Sequence, residues 1–230
     1  MGERVFDQSP VVSVPCGENA FGTLTPLYTS KMPWKGFRIL SQSQNTYYAS
    51  FIQLYVGSNP YGPLLVSDGS PDSCWDYFIP GNFPAGTSFS AEIYYNTTVA
   101  NNCNIGLIGL SEPDIDCTQM VSLGVSAGTV GVSCSAGVWT SLGALPSLPI
   151  KSMRFGLQNA GATGSGETIA ISFGPSSSSL TSLFPALQYG NAGSDYGWVR
   201  PTFRINRMLS GNNLYANPTQ TSNNHAYLYY

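Results

Sequence analysis

Short stretches in which apolar and polar residues alternate recur along this chain. In the segment 87–95, TSFSAEIYY, the positions Phe89 and Ile93 are apolar, and Ser88 and Glu92 are polar. Such alternation is typical of a β-strand that buries one face. Segments rich in β-branched and aromatic residues predict further strands at 21–30, 36–42, 47–56 and 76–80. No window of helical length keeps a 3.6-residue apolar period, so we predict an all-β sandwich or barrel.

The second half of the sequence resembles the first half. The aligned segments are 14–27 with 132–145 at an offset of 118, 33–42 with 149–158 at 116, and 51–57 with 168–174 at 117. Two shorter matches pair Asp76-Tyr77 with Asp195-Tyr196 at 119, and Gly86 and Ala91 with Gly211 and Ala216 at 125. The order of the matches is preserved, which indicates that one domain was duplicated.

The repeat divides the chain into two tandem β-sandwich domains of about 100 residues each, a usual size for such a domain. We predict an N-terminal arm at 1–10, domain one at 11–111, a linker at 112–127 and domain two at 128–230. Within the first match, Phe21, Leu24 and Leu27 are spaced by three and cannot share one face of an ideal strand. A bulge or turn within 21–27 is therefore expected in both copies.

The surface of this protein is predicted to be nearly uncharged. Charged residues make up 9% of the chain, against about 25% in an average soluble domain. Residues 1–127 hold four basic and ten acidic side chains, and residues 128–230 hold five basic and two acidic ones. A neutral surface of this kind suits permanent assembly or contact with sugars. No Lys/Arg run is present, which argues against nucleic-acid binding.

One sequence pattern matches a catalytic motif. Ser126 lies in a G-x-S-x-G pattern, and Asp195 and His225 follow in the chain order of α/β-hydrolases. That motif requires a strand-to-helix turn, whereas the residues after Gly128 are β-formers and glycines. We therefore predict no catalytic residue and no enzymatic activity.

Metal and cofactor sites are also not expected. Glu112, Asp114 and Asp116 lie close together but lack the spacing of an EF-hand, and the Gly-rich segment 161–166 is not followed by Gly-Lys-Ser/Thr. The five cysteines show no CxxC spacing, and their odd number favours reduced, buried thiols. No apolar stretch reaches about 18 residues, and the start of the chain lacks a signal peptide, so neither a membrane span nor an export signal is expected.

Two groups of residues are candidates for an interface. In the predicted strand 198–208, Arg200 and Arg204 share a face at period two and are suited to clasp an anionic partner. The terminal segment carries Tyr227, Tyr229 and Tyr230, and tyrosine is favoured at interfaces. This segment is either the last strand of domain two or an arm that pairs with a neighbour.

Two segments resemble structural proteins of tailed bacteriophages, namely FGTLTPLYTS (21–30) and DYFIPGNFPAGTSFSAEI (76–93). The second half is similar more weakly at 138–145 and 195–209, where Leu209-Ser210-Gly211 replaces the Pro-Ala-Gly turn. The resemblance implies a jelly-roll-like sandwich that assembles as an oligomer, and it implies no catalytic residue.

We therefore expect a non-enzymatic bacteriophage virion protein, assembled in the host cytoplasm as part of the particle. The leading hypothesis is a head decoration or spike-base protein that binds the capsid and sister subunits as a homo-oligomer. The alternative is a receptor-binding or tail-fibre module that contacts host surface glycans through its neutral loops. Capsid or tail proteins are the expected partners, without nucleic acid, membrane or cofactor.

Overall fold

The computed structural model describes residues 4–18, 20–43, 49–68, 74–95, 101–112, 117–124, 131–159, 167–189 and 196–230. All regular secondary structure in these ranges is β-strand, which confirms the predicted all-β class. The chain divides into two compact units, Met1–Met120 and Val121–Tyr230. The described ranges include no helix that is long and apolar enough to span a bilayer.

The first unit is built from strands that pair mainly in an antiparallel manner. Its strands are β1 (Arg4–Gln8), β2 (Val12–Glu18), β3 (Thr25–Thr29), β4 (Trp34–Ser43), β5 (Ala49–Val56), β6 (Asn59–Asp68), β7 (Cys74–Phe83), β8 (Ser88–Tyr95) and β9 (Asn102–Glu112). One layer has the order β2-β9-β4-β7, and β1 also pairs with β9; the other has the order β3-β8-β5-β6. A parallel pairing of β2 with β8 joins the two layers.

The second unit repeats this arrangement. Its strands are β10 (Met120–Leu123), β11 (Val132–Cys134), β12 (Thr140–Ala144), β13 (Ile150–Asn159), β14 (Glu167–Ser176), β15 (Ser179–Tyr189), β16 (Tyr196–Arg207), β17 (Asn213–Pro218) and β18 (Ser222–Tyr229). One sheet has the order β11-β18-β13-β16, with β10 also on β18, and the other has the order β12-β17-β14-β15.

Each strand of the first unit thus has a counterpart in the second that pairs with equivalent neighbours, except that the ladder of β2 with β8 has no counterpart between β11 and β17 in the described residues. Eight strands in two four-stranded layers with these crossings form a jelly roll. The predicted fold class, two tandem jelly-roll-like sandwiches related by duplication, is confirmed by this shared topology. The extra strand, β1 or β10, adds to the same central strand in each unit.

The ladder registers show which parts of the sequence alignment are correct. Arg38 of β4 lies opposite Ile108 of β9, and Arg154 of β13 lies opposite Tyr227 of β18. The two arginines therefore occupy the same position between equivalent strands, which supports the offset of 116. Ile52 of β5 pairs with Ile93 of β8, and Ile169 of β14 pairs with Pro218 of β17. These two pairings agree with an offset of 117 for β5 and of 125 for β8. The expected bulge is present in both copies, between Pro26 and Tyr28 and between Ser141 and Gly143.

Two of the aligned matches, those at offsets of 118 and 119, are wrong. Leu142 corresponds to Leu27, since each is the buried third residue of its strand, whereas Leu24 is 50% exposed. Cys134 corresponds to Val14, because their partners are Ser222 and Cys103. The stretch from Val14 to Thr25 is five residues longer than that from Cys134 to Thr140, mainly because β2 continues to Glu18 whereas β11 ends at Cys134, so no gap-free alignment spans it. The match at an offset of 119 is wrong as well: Gln42 pairs with Cys74 and the equivalent Gln158 pairs with Tyr196, so Tyr196 corresponds to Cys74 and not to Tyr77. Asp195 lies outside the described residues.

The unit boundaries also differ from the predicted ones. Residues 4–8 were assigned to an arm, but as β1 they pair with β9 at Gln8 opposite Ile108. Residues 120–123 were assigned to the linker, but as β10 they pair with β18. In the first unit β1 pairs with β9, as β2 does, and in the second unit β10 pairs with β18, as β11 does. Strands this short carry too little alternation to be identified from the sequence.

The two cores differ in chemistry. In the first unit the fully buried Trp34 stacks on Phe89 at a centroid distance of 4.9 Å and contacts Phe37 at 5.9 Å. In the second unit the core is mainly aliphatic, with Ile150, Ile171 and Leu214 fully buried. The same topology is therefore filled by large rings in one copy and by branched side chains in the other.

Candidate interaction surfaces

The terminal tyrosines lie in a strand of the second unit. Strand β18 pairs with β13, with Arg154 opposite Tyr227 and Ser152 opposite Tyr229. The chain buries Tyr227 completely and leaves Tyr229 7% exposed, while Tyr230 is half-buried. The last strand is therefore part of the fold, and of these three side chains Tyr230 is the one that offers surface to a partner.

The arginine pair lies in an irregular strand. Strand β16 pairs with β13, but register shifts separate Val199 from Phe203 and Arg204 from Arg207. Arg204 is exposed, and the side chain of Arg200 lies outside the described residues. The shared face inferred from period two assumed a regular strand, so a common partner for both arginines stays a prediction.

Several other motifs fall wholly or partly outside the described ranges. His225 is buried within β18, but Ser126 and Asp195 are not described. Glu112 ends β9 opposite Arg4, whereas Asp114 and Asp116 are not described. The Gly-rich segment 161–166 is also not described. Within the described ranges, no group of three metal-ligating side chains comes together.

The same corner of each copy exposes an apolar side chain. Met32 and Leu148 precede Pro33 and Pro149 in the segments aligned at 116, and they are 46% and 49% exposed. Met32 follows β3, and Leu148 follows the equivalent strand β12. We call this position the corner residue of each copy. Its exposure was not predicted, although a large apolar residue precedes the repeated proline in both halves of the sequence.

Other exposed apolar residues flank strands β3, β12 and β16. Leu24 precedes β3 and Val138 precedes β12, with exposures of 50% and 53%. In the second unit Met208, 52% exposed, follows β16. Isolated exposed apolar residues are common on proteins, but Met32 and Leu148 are exposed at equivalent places in both copies.

Hydrogen bonds fix the loop that leads to the corner in the first unit. Ser30 donates its N–H to Thr87 O at 3.0 Å and accepts from Gly86 N at 2.8 Å. Its hydroxyl donates to Pro84 O at 3.1 Å and accepts from Thr87 N at 3.1 Å. Gly86 has a φ of 86°, which glycine adopts without strain. The Pro-Ala-Gly turn therefore serves to hold the loop before Met32.

The second unit keeps this contact with a different sequence. Leu145 N donates to Asn212 O at 2.9 Å, in the place of the bond from Ser30 to Thr87. Gly211 has a φ of 77°, and the Asn212 amide donates to Leu209 O at 3.2 Å. The departure from Pro-Ala-Gly thus preserves the turn, with a side-chain amide in place of the serine hydroxyl.

The carboxylate of Asp7 holds the first corner from the other side. It accepts hydrogen bonds from Tyr28 Oη at 2.6 Å, from Lys31 N at 3.0 Å and from Trp34 Nε1 at 3.0 Å. Burial raises the pKa of this carboxyl, but the hydrogen bonds outweigh burial and hold the pKa below its usual 3.8. The hydrogen bond from the Tyr28 hydroxyl to Asp7 raises the pKa of Tyr28 to about 12. Met32 is therefore presented by an anchored loop.

A second exposed apolar spot lies on the outer face of the first unit. Leu40 pairs with Gly106, and a Cβ at Gly106 would lie 3.9 Å from Val11 Cγ2. Val11 and Leu40 are 72% and 39% exposed. Gly106, which has no side chain, lies between these two apolar side chains.

The chain matches no known family model and no curated protein. A solved structure described as "The Triple Jelly Roll Fold and Turret Assembly in an Archaeal Virus" aligns with 98% of this chain, at 11% sequence identity and a TM-score of 0.28. This chain spans 59% of the length of that protein. That description applies to the archaeal virus protein.

Proposed function

We propose that this chain is a non-enzymatic structural component of a virus particle, of the tailed-bacteriophage type. In this proposal it attaches to the head as a decoration or spike-base protein and contacts capsid and sister subunits. The resemblance of the segments 21–30 and 76–93 to such proteins supports this reading. A surface with few charges also favours it, because neutral polar groups can be buried at lower cost than ions.

The repeated corner residue is the observation that carries the proposal. Met32 and Leu148 are apolar, exposed and held on hydrogen-bonded loops at equivalent positions. Burying one such side chain contributes about 1.5–3 kcal/mol, and rigid loops lose little entropy on docking. Two equivalent contacts per chain add avidity when many copies assemble on one particle.

The test replaces both corner residues with a charge. Met32→Asp combined with Leu148→Asp should leave the circular dichroism spectrum unchanged, because both side chains project from the fold. It should reduce self-association or binding to purified particles at least tenfold, measured by sedimentation velocity and co-sedimentation.

The matched control carries the same charge change at Ser13→Asp and Ser133→Asp. These serines are exposed at equivalent places in β2 and β11 and keep their hydroxyls in the solvent. The control should assemble as the unaltered chain does. Equal assembly of the corner variant and the unaltered chain, or equal loss in both variants, would overturn the proposal.

The alternative is a module that binds host surface glycans, since jelly rolls also occur in lectins. The exposed turn between β14 and β15 favours it, because Ser176 and Ser178 hydroxyls lie 3.0 Å apart there and present neutral polar groups. The polar segment 211–224 offers little loop surface, since most of it forms β17 and β18. Binding on a glycan array that is lost on changing Ser176 and Ser178 would favour this alternative.

A further inference from the structure

Two cysteines meet in the first unit. Cys16 lies near the end of β2 and Cys103 near the start of β9, 87 residues later in the chain. Their sulfur atoms are 3.4 Å apart in the reduced state. A disulfide requires about 2.05 Å between the sulfur atoms, so closure needs an approach of about 1.4 Å. Rotation of two side chains supplies a movement of this size.

The pair sits where β2 passes from one layer to the other. Val14 is the ladder partner of Cys103 on β9, and Cys16 N still donates to Asn101 O at 2.9 Å. At Cys16 itself the strand pairs with Ile93 of β8. A covalent bond here would fasten the segment that holds the two layers of the jelly roll together.

We propose that Cys16 and Cys103 form a reversible disulfide that staples this corner of the first unit under oxidising conditions. Cys16 is half-buried and within reach of a small oxidant, whereas Cys103 is fully buried behind it. Cys16 is therefore the attacking thiol and Cys103 the resolving one. This inference does not depend on the proposed function.

The second copy lacks the pair. The position of Cys103 is taken by Ser222, and Ala136 stands two residues after Cys134, as Cys16 does after Val14. Cys134 is fully buried, and its thiol contacts Val132 O at 3.4 Å. The copies thus provide an internal comparison between a paired and a single thiol.

The chemistry balances with a low-molecular-weight disulfide such as oxidised glutathione. The Cys16 thiolate attacks one sulfur of that disulfide, forms a mixed disulfide and releases one glutathione thiolate. Cys103 then attacks the Cys16 sulfur and releases the second glutathione. The two cysteines are oxidised by two electrons, the glutathione disulfide is reduced, and both thiol protons pass to the released glutathione thiolates.

The reaction should be slow at neutral pH and faster in alkali. The hydrogen bond with Cys103, together with burial, raises the pKa of the Cys16 thiol above its usual value. Because the thiolate is the attacking species, the initial rate should rise with pH up to that raised pKa.

The experiment incubates the full chain with excess oxidised glutathione at about pH 8.5, then alkylates free thiols and identifies linked peptides by mass spectrometry. A second arm refolds the reduced, denatured chain in a glutathione redox buffer, so that access to the folded site is not limiting. A Cys16–Cys103 linked peptide is expected in both arms. The linked form should melt about 5–10 °C higher than the reduced form, and reduction should reverse this.

Two single variants serve as controls and copy the second unit. Cys16→Ala and Cys103→Ser should each abolish the linked peptide and the gain in melting temperature, while Cys134 stays alkylatable after unfolding. The proposal fails if neither arm yields the linked peptide, or if Cys16 links to another cysteine instead. It also fails if the link forms but the melting temperature does not rise.

Discussion

Asp7 shows how much a single side chain can organise in a protein with few charges. Its carboxylate accepts hydrogen bonds from Tyr28, Lys31 and Trp34, which belong to β3, to the following loop and to β4. Through them β1 is fastened to the opposite layer as well as to β9. The sequence placed Asp7 in an arm, because a five-residue strand carries too little pattern to be identified.

Removing this carboxylate should weaken the first unit. Asp7→Ala is expected to lower the free energy of unfolding by about 1–2 kcal/mol near neutral pH, since hydrogen bonds to a half-exposed charge are lost. The pKa of Asp7 is lowered in the folded state, so its contribution is present above pH 3.8 and disappears as the pH falls through the folded pKa. The difference between the two proteins should therefore shrink in acid.

Urea unfolding at about pH 7 and about pH 3 measures this difference. Gln8→Ala is the matched control, because Gln8 is the exposed next residue of the same strand and should cost little. A constant difference at both pH values would show that lost packing, and not the carboxylate, causes the effect.

At the scale of strands, the two copies solve one packing problem in opposite ways. A Cβ on Gly109 of β9 would collide with the Trp34 ring, so the indole needs a glycine beneath it. The equivalent residues of the second copy are Ile150 and Leu228, both fully buried. The first copy thus combines a large indole on β4 with a glycine on β9. The second copy fills the same space with two side chains of medium size, one on β13 and one on β18.

This exchange predicts a strong coupling between the two positions. Gly109→Leu should destabilise the first unit by about 3 kcal/mol or more, because the side chain has no space beside Trp34. Combining it with Trp34→Ile copies the second unit and should restore most of that loss. Thermal and urea unfolding of both single variants and the double variant give the coupling energy.

Gly106→Leu is the control within the same strand. Gly106 faces outwards, and a Cβ there meets only Val11, at 3.9 Å. This variant should unfold like the unaltered chain. If Gly109→Leu were tolerated equally well, the reading of Trp34 and Gly109 as complementary would be wrong.

The sequence alignment was correct along β4, β5 and β8 and wrong for the matches at 118 and 119. Offsets of 116, 117 and 125 hold because β4, β5 and β8 contain no insertion relative to their counterparts. The gap-free match at 118 aligned Leu24 with Leu142, but a longer stretch between Val14 and Thr25 in the first copy places Leu27 there instead. Matching of similar residues cannot show where a loop has gained residues.

For the whole molecule, the repeated topology means that each unit has its own core and its own ladders. Fragments 1–120 and 121–230 should each show the circular dichroism of a β protein and unfold cooperatively when prepared separately. A fragment ending at residue 101 should not fold, because β9 lies between β4 and the β1–β2 edge. Cooperative unfolding of that shorter fragment would contradict this account.

The candidate surface was harder to predict than the fold. Sequence identified tyrosines as contact residues, but the chain buries Tyr227 and Tyr229 on the outward face of β18. Alternation tells which residues share a face and does not tell whether another part of the chain covers that face. Met32 and Leu148 became candidates when their exposure and their equivalent loops were known.

Strand β2 bonds to β9 along its first half and to β8 along its second half. Removal of β2 must therefore break ladder bonds to both layers. Strand β11 has three residues and, in the described part of the chain, a ladder with β18 alone, so its removal breaks ladder bonds to one layer. Under mechanical load the second copy should therefore unfold at a lower force than the first copy.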